Sequence, residues 1–187
     1  MRPTIVGLSG SLRRGSLNTL LLQEAAGFMP PETLLEIESI REVPLYDGDV
    51  EREQGIPESV QDLKNRIAAS HALLISTPEY NHSIPGVLKN AIDWLSRPPC
   101  DIPRVFGGLP VAIMGVSIGK RGSLLAQAAW LPIMFRLGSV PWFGDQLALS
   151  ITSDTFDAQG HIVDAGIRWR LESFITGFVG FAGEHRR

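Results

Sequence analysis

A loop rich in glycine and serine, Ser9–Asn18, follows the first apolar run of the sequence. Ser11, Ser16 and Asn18 supply hydroxyl and amide donors, and Arg13 adds a fixed positive charge. If a helix begins where this loop ends, its unpaired N–H groups and its dipole both favour an anion. The loop therefore predicts a site for a phosphomonoester.

Two common phosphate-binding signatures do not match this loop. No Gly-Lys-Ser/Thr follows Gly10 at the spacing of a P-loop. The glycines at 7, 10 and 15 also miss the spacing of a dinucleotide fingerprint. An ordinary helix cap, with Ser16 or Asn18 as the N-cap, is the alternative interpretation.

A second turn-rich loop follows the apolar run Ala72–Ser76 and leads into an amphipathic pattern that ends near Leu95. Between Pro78 and Asn81 it offers backbone amides, the ring of Tyr80 and a carboxamide. These groups suit a planar, hydrogen-bonding heterocycle. A tight turn with Tyr80 in the core is the alternative.

A third loop, Ser117–Ser123, is rich in glycine and by itself indicates only a flexible connection. In a doubly wound sheet, however, the loops after strands 1, 3 and 4 meet at one edge. One loop could then hold a phosphate, one the edge of a ring, and one the far side of that ring.

The elements that must position these loops are apolar runs of strand length alternating with helical patterns. Strands are predicted at 4–9, 34–40, 72–76, 110–116 and 139–142, and helices at 17–28, 57–68, 86–95, from 124, and around 167–178. Residues 41–57 are predicted to form a surface excursion, Pro132 to cut or kink its helix, and 150–162 to form a connector. The pattern predicts one α/β domain, 1–187, with a five-stranded parallel sheet covered on both faces. The flavodoxin-like strand order and a truncated nucleotide-binding fold both fit.

Composition, net charge and cysteine count limit the classes of protein to which this chain could belong. The 187 residues are 44% hydrophobic and 20% charged, as in a globular chain, and the net charge of −3 gives no electrostatic case for nucleic acid or an anionic membrane. Cys100 is the only cysteine, so no intramolecular disulfide can form, and a spare loop cysteine is favoured over a redox thiol. The N-terminus lacks signal-peptide architecture and no apolar run approaches about 20 residues. We expect a cytoplasmic protein without a membrane span.

Other kinds of chemistry find little support in the sequence. The four histidines have no metal-ligand spacing, so no metal site is predicted. The segment Gly7–Ser11 lacks the Gly-x-Ser-x-Gly spacing of a nucleophile elbow, which makes a hydrolase improbable.

Two segments carry a family resemblance, Gly10–Asn18 and Thr77–Trp94. At these residues the chain resembles the NADPH-dependent FMN reductase family, flavodoxin-like proteins that include quinone, azo-dye and chromate reductases. The second segment is long and specific, and in strand order the resemblance covers nearly the whole chain.

The resemblance implies a flavodoxin-like three-layer sandwich that binds FMN and uses NADPH or NADH as co-substrate. It also implies a homodimer or homotetramer with the flavin near a subunit interface. By resemblance, the FMN phosphate is held by Ser11, Arg13, Ser16, Leu17 and Asn18. The isoalloxazine is lined by Pro78, Glu79, Tyr80 and Asn81, largely through backbone amides near N5 and O4, and its pyrimidine side by Ser117 with Gly119.

The sequence departs from the family pattern after the third loop. Related proteins commonly have an Arg in the turn before Ala-Gln, whereas this chain reads Gly122–Gln127 without one. Leu131-Pro132 then replaces a more polar helical segment. These differences bear on nicotinamide contacts and tetramer packing more than on the FMN site.

Our prediction is an FMN-dependent NAD(P)H oxidoreductase that passes electrons to a small acceptor, namely a quinone, an azo compound, a metal oxyanion or free flavin. No side chain is predicted to act as a catalytic acid or base, since the flavin supplies the redox chemistry. Three alternatives stay open: a flavodoxin-like electron carrier without turnover, a reductase that uses FMN as substrate, and a structural module. The charge of −3 argues against a carrier, because such carriers tend to be strongly acidic.

Overall fold

Parallel strands alternate with helices in this computed structural model, which describes residues 2–151 and 155–185. The strands are β1 (Thr4–Ser9), β2 (Leu34–Glu38), β3 (Ala72–Ser76), β4 (Pro110–Ser117), β5 (Val140–Pro141) and β6 (Leu147–Ser150). The helices are α1 (Leu17–Ala26), α2 (Gly48–Gln54), α3 (Glu58–Ala69), α4 (Gly86–Leu95), α5 (Ile102–Val105), α6 (Leu124–Leu137) and α7 (Ala165–Glu184).

The strands form one parallel sheet in the order β2-β1-β3-β4, with β5 and β6 both pairing with β4. β5 pairs with the start of β4, where Pro110 faces Val140. β6 pairs with its end, where Ser117 faces Ser150. The predicted parallel sheet is confirmed, and its fifth strand position is filled by two short strands in succession.

Two apolar cores cover the two faces of the sheet, because successive side chains of a strand point to opposite faces. On β1, Ile5 packs with α1 and α7, whereas Val6 packs with α3, α4 and α6. On β3, Leu73 and Leu74 divide between the cores in the same way. Burying each such side chain stabilises the fold by about 1.5–3 kcal/mol. The predicted three-layer α/β sandwich is confirmed.

Two details of the sequence prediction were wrong or incomplete, and a third lies partly outside the described residues. Pro132 does not cut its helix, since α6 continues through it. An interior proline costs about 3 kcal/mol, but complete burial of Trp130 and Met134 on either side offsets that cost. The stretch 41–57 contains α2, which begins after the N-cap Asp47. The connector at 150–162 is described only in part, since 152–154 lie outside the described residues.

A buried lysine joins α3 to the segment that follows α4. Lys64 is 1% exposed, and its Nζ lies 2.7 Å from Oδ2 of Asp101 and donates to the carbonyl of Arg97. The Arg104 guanidinium and then the Lys64 ammonium hold the pKa of Asp101 well below its usual range. Glu51 binds Arg97 at 2.7 Å, so α2 is tied to the same segment.

Candidate functional site

The loop between β1 and α1 presents an anion-binding helix N-terminus. Ser16 is the N-cap of α1, and its side chain accepts a hydrogen bond from the amide of Thr19 at 3.4 Å. The next two amides, of Leu17 and Asn18, have no partner within the helix, as geometry requires at a helix start. Gly15 enters the turn with φ of 65°, a conformation that suits glycine.

Arg13 gives this loop its positive charge. Its side chain is exposed, and within the described ranges no carboxylate forms an ion pair with it. Its own amide donates to the hydroxyl of Ser11 at 3.4 Å, which keeps these two residues on the same side of the turn. The guanidinium is therefore available to an anionic ligand.

The carboxamide of Asn18 has a structural role that the sequence did not reveal. Its Nδ2 donates to the carbonyl of Val116 at 2.9 Å, and its Oδ1 accepts from the amide of Val116 at 3.0 Å. The hydroxyl of Ser76 also donates to Oδ1, at 3.0 Å. This buried side chain thus fastens α1 to the ends of β3 and β4. Because the carboxamide is engaged, the backbone amide of Asn18 is the donor that this residue offers to a ligand.

The second loop is shaped by a two-residue β-hairpin. Tyr80 and Ser83 exchange backbone hydrogen bonds of 3.0 Å in both directions. Between them, Asn81 and His82 have φ of 52° and 61°, the left-handed pair that a type I′ turn requires. The ring of Tyr80 is half exposed and not part of the core, contrary to the alternative interpretation.

Glu79 links the second loop to the third. Its Oε2 accepts from the amides of Leu125 and Ala126 at 2.8 and 3.2 Å, and so caps the start of α6. Its Oε1 lies 3.4 Å from Nδ1 of His82, and the Glu79 side chain is only 10% exposed. The carboxylate is favourably placed, because a helix N-terminus carries partial positive charge.

The end of β4 lies unusually close to the second loop. A β-carbon at Gly115 would lie 2.0 Å from the carbonyl oxygen of Thr77, so only glycine fits there. Gly122 has φ of 59° and packs against the backbone of Leu149. Gly115 thus lets the end of β4 pack against the second loop, and Gly122 lets the third loop, which begins at Ser117, pack against β6.

The three loops enclose one cleft of about 420 Å³, within the usual range of ligand pockets. Nine of the predicted site residues line it: Ser11, Arg13, Ser16, Leu17, Asn18, Pro78, Glu79, Tyr80 and Ser117. Among the described residues, Asn81 and Gly119 are not part of this lining, since Asn81 sits at the hairpin tip.

Three apolar residues that the sequence did not single out complete the cleft: Val116, Ile118 and Ile151. Val116 and Ile118 flank the predicted Ser117, so their position beside that serine was a usable signal. Ile151 follows β6, which was not predicted. The alternation in Leu147–Ser150 was its only local sign.

The residues present fit FMN. The phosphate requires donors and positive charge, which are supplied at one end by two free amides, two serine hydroxyls and Arg13. The ring requires flat apolar contact and backbone groups, which Pro78, Tyr80 and Ile118 supply at the other end. A second cavity, of about 400 Å³, lies between α6 and Trp142, but no lysine or arginine lines it. The first cleft therefore suits a phosphate-bearing ligand better than this cavity does.

Neither a membrane-spanning helix nor a metal-binding cluster occurs in the described ranges 2–151 and 155–185. No helix there is long and apolar enough to cross a lipid bilayer. No group of three or more His, Cys, Asp or Glu residues there is arranged to hold a metal ion.

Comparison with known proteins shows the family of this chain. The sequence matches the family described as NADPH-dependent FMN reductase over residues 3–154. It is 44% identical over 160 residues to an NAD(P)H-dependent FMN reductase of Pseudomonas aeruginosa, covering 86% of this chain and 84% of that one. It is 36% identical over 179 residues to a quinone reductase of Escherichia coli, covering 95% and 94%.

A solved structure of a flavoenzyme NAD(P)H:(acceptor) oxidoreductase from Paracoccus denitrificans superposes with a TM-score of 0.89 at 33% identity, covering 99% of this chain and 100% of that one. The chain belongs to the NADPH-dependent FMN reductase family. The predicted flavodoxin-like fold and the predicted class, an FMN-dependent NAD(P)H oxidoreductase, are confirmed.

Proposed function

We propose that the cleft between the three loops is the FMN site of this oxidoreductase, within one flavodoxin-like domain spanning residues 1–187. Ser11, Arg13, Ser16 and the amides of Leu17 and Asn18 hold the phosphate. The ring lies along Pro78, Glu79 and Tyr80 and contacts Ser117 on its pyrimidine side, while Asn81 and Gly119, which do not line the cleft, shape the second and third loops. The observation that carries this proposal is the pairing of a cationic, amide-rich end with an aromatic and apolar end in one cleft.

When bound, FMN supplies the redox chemistry, accepting hydride from NAD(P)H and passing electrons to an acceptor. The chain's own residues bind and orient it. Glu79 fixes the second loop against α6, and the carboxamide of Asn18 fixes α1 against β3 and β4. Ile118 and Ile151 contribute apolar surface to one wall of the cleft. No side chain of the cleft is assigned as an acid or base.

A quinone is the acceptor we propose. Its support is that relatives covering nearly all of this chain are named quinone reductases. The open, partly aromatic cleft suits a flat apolar ring. Turnover should be compared with azo compounds, metal oxyanions and free flavin as the other acceptors. We place the enzyme in the cytoplasm, where reduced nicotinamide nucleotides are available.

We also propose that the chain forms a homodimer or a homotetramer through α6. Leu131 and Phe135 lie one turn apart on this helix, and Phe135 is 86% exposed. Phe135→Lys is expected to lower the mass measured by light scattering. Trp169→Lys, on exposed α7, serves as the matched control. An unchanged mass for Phe135→Lys would remove α6 from the interface.

The experiment for the proposed function is dialysis of the purified protein followed by turnover. FMN is expected to survive dialysis, and the holoprotein is expected to oxidise NADPH or NADH with a quinone as acceptor. A protein that loses FMN yet reduces added FMN would instead use flavin as its substrate. A protein that retains no flavin and turns over nothing would contradict the assignment of the cleft.

A further inference from the structure

A polar groove of about 240 Å³ lies on the other side of the β1–α1 loop from the flavin cleft. It shares Ser11 and Arg13 with that cleft and extends to the residues that follow β2, including Ser39 and Arg41. The two sites are therefore contiguous, and a ligand that leaves the cleft over this loop enters the groove.

Two guanidinium groups face the groove. Two hydrogen bonds hold Arg41 in place. Its side chain donates to the carbonyl of Leu12, and its backbone amide donates to the hydroxyl of Ser39 at 3.1 Å. In the part of the chain that the structure describes, neither Arg41 nor Arg13 forms an ion pair with a carboxylate. Because Arg13 is assigned to the FMN phosphate, Arg41 is the groove's cation for a second phosphate, to which arginine binds in bidentate fashion.

Among the described residues, Glu38 is the carboxylate that lines the groove, and it is already engaged. Glu38 ends β2, the position at which an acidic residue in dinucleotide-binding folds selects the ribose hydroxyl of NADH. Its Oε1 lies 2.8 Å from the guanidinium of Arg66 on α3. This pairing neutralises Glu38, so Arg41 sets the charge of the groove in the FMN-loaded protein.

We propose that this groove binds the 2′-phosphate of NADPH and so makes the enzyme prefer NADPH to NADH. The inference rests on the proposed function, because a nicotinamide ring at the flavin must leave the other half of its dinucleotide outside the cleft. Arg41 is a specificity-determining residue in this arrangement, and the hydroxyl of Ser39 lies beside it. The cavity near Trp142 offers no comparable charge.

The test is calorimetric titration of the FMN-loaded protein with adenosine 2′,5′-bisphosphate and with adenosine 5′-monophosphate, which differ only in the 2′-phosphate. The bisphosphate is expected to bind more tightly by about tenfold or more. Arg41→Gln is expected to abolish this difference and to bring kcat/KM for NADPH close to that for NADH. Ser39→Asp, which adds a carboxylate to the groove, is expected to shift the preference toward NADH.

Arg52→Gln is the matched control, since Arg52 is an exposed arginine of α2 that binds only surface carboxylates. FMN content is expected to stay unchanged in all three variants. Equal binding of the two nucleotides by the unaltered protein, absence of binding by both, or a preference that survives Arg41→Gln would overturn the inference. Loss of FMN from the unaltered protein would instead contradict the proposed function, and the titration needs no turnover to tell these results apart.

Discussion

Oε2 of Glu79 accepts a hydrogen bond of 2.8 Å from the amide of Leu125, 46 residues further along the chain. This contact makes a residue of the second loop the cap of the helix that follows the third loop. Two of the three walls of the flavin cleft are therefore held at a fixed separation by a single carboxylate. Glu79 acts as a positioning residue, whatever its backbone contributes to the ring.

Glu79→Ala is expected to lower the free energy of unfolding by about 1.5–3 kcal/mol, because two amides lose a charged acceptor. Glu79→Gln keeps one acceptor oxygen and should lose less than half of that. Asp93→Asn is the control, since Asp93 forms an exposed pair with Lys89 that contributes about 0.3–0.5 kcal/mol. Urea unfolding and FMN titration measure both effects. Glu79→Ala behaving like Asp93→Asn would contradict the capping role.

The left-handed conformation of Asn81 gives a second prediction. Asn81 has φ of 52°, a conformation in which a β-branched residue is strained. Asn81→Val is therefore expected to lower the unfolding free energy by about 1–2 kcal/mol. The distorted hairpin should also weaken FMN binding. Asn81→Gly tolerates this φ and serves as the control, with little change expected in either measurement. Equal thermal unfolding of the two variants would show that the hairpin is not under this constraint.

The buried pair of Lys64 and Asp101 predicts a larger effect away from the site. Lys64→Ala is expected to lower the unfolding free energy by about 3 kcal/mol, because one member of a buried pair is removed. The loss lies at the low end for such pairs, since Asp101 is 20% exposed and retains Arg104. Lys89→Ala removes an exposed pair and should cost about 0.5 kcal/mol or less. Similar urea midpoints for the two variants would contradict this account.

The sequence predicted the three loops because the signals for them are local. Each follows a short apolar strand, and a parallel sheet brings such strand ends to one edge. A helix cap at Ser16 or Asn18 and a tight turn at Pro78–Asn81 could be inferred from a few adjacent residues, and the meeting of the loops after strands 1, 3 and 4 follows from the doubly wound arrangement. Nine of the residues that the family resemblance implied for the site line one cleft.

What the sequence did not reveal depends on contacts between distant residues. The carboxamide of Asn18 binds Val116, 98 positions away, and nothing near residue 18 marks that partner. β6 has four residues and is a strand only because it pairs with the end of β4, so Ile151 was missed with it. Helix α6 continues through Pro132 because its neighbours are buried, and burial is a property of the whole fold.

The ion pair between His161 and Glu24 predicts a pH-dependent contribution to stability. The hydrogen bond from the His161 ring to the carboxylate of Glu24, at 2.7 Å, raises the pKa of His161 above its ordinary value of 6.5. Because the folded pKa is the higher one, the stabilisation is fully present below that ordinary value. It is lost as the pH rises through the raised pKa. The stability difference between the unaltered protein and His161→Asn should therefore be larger at about pH 5.5 than at about pH 8.5.

Thermal unfolding at both pH values, with and without added salt, measures this contribution. The His161 side chain is 63% exposed, so salt should reduce the effect. His185→Asn is the control, because the ring of His185 contacts only the Phe181 carbonyl and the Phe181 ring among the described contacts. A difference that grows with rising pH would contradict the assigned direction.

The central claim is that FMN binds in the cleft with its phosphate at Arg13. The most direct measurement is fluorescence titration of the apoprotein with FMN, comparing Arg13→Ala with Arg14→Ala. Arg14 is the neighbouring exposed arginine, and it does not line the cleft. We expect about one FMN per chain, an affinity lowered about 10- to 150-fold by Arg13→Ala, and no change with Arg14→Ala. Absence of FMN binding, or equal affinity in the two variants, would contradict it.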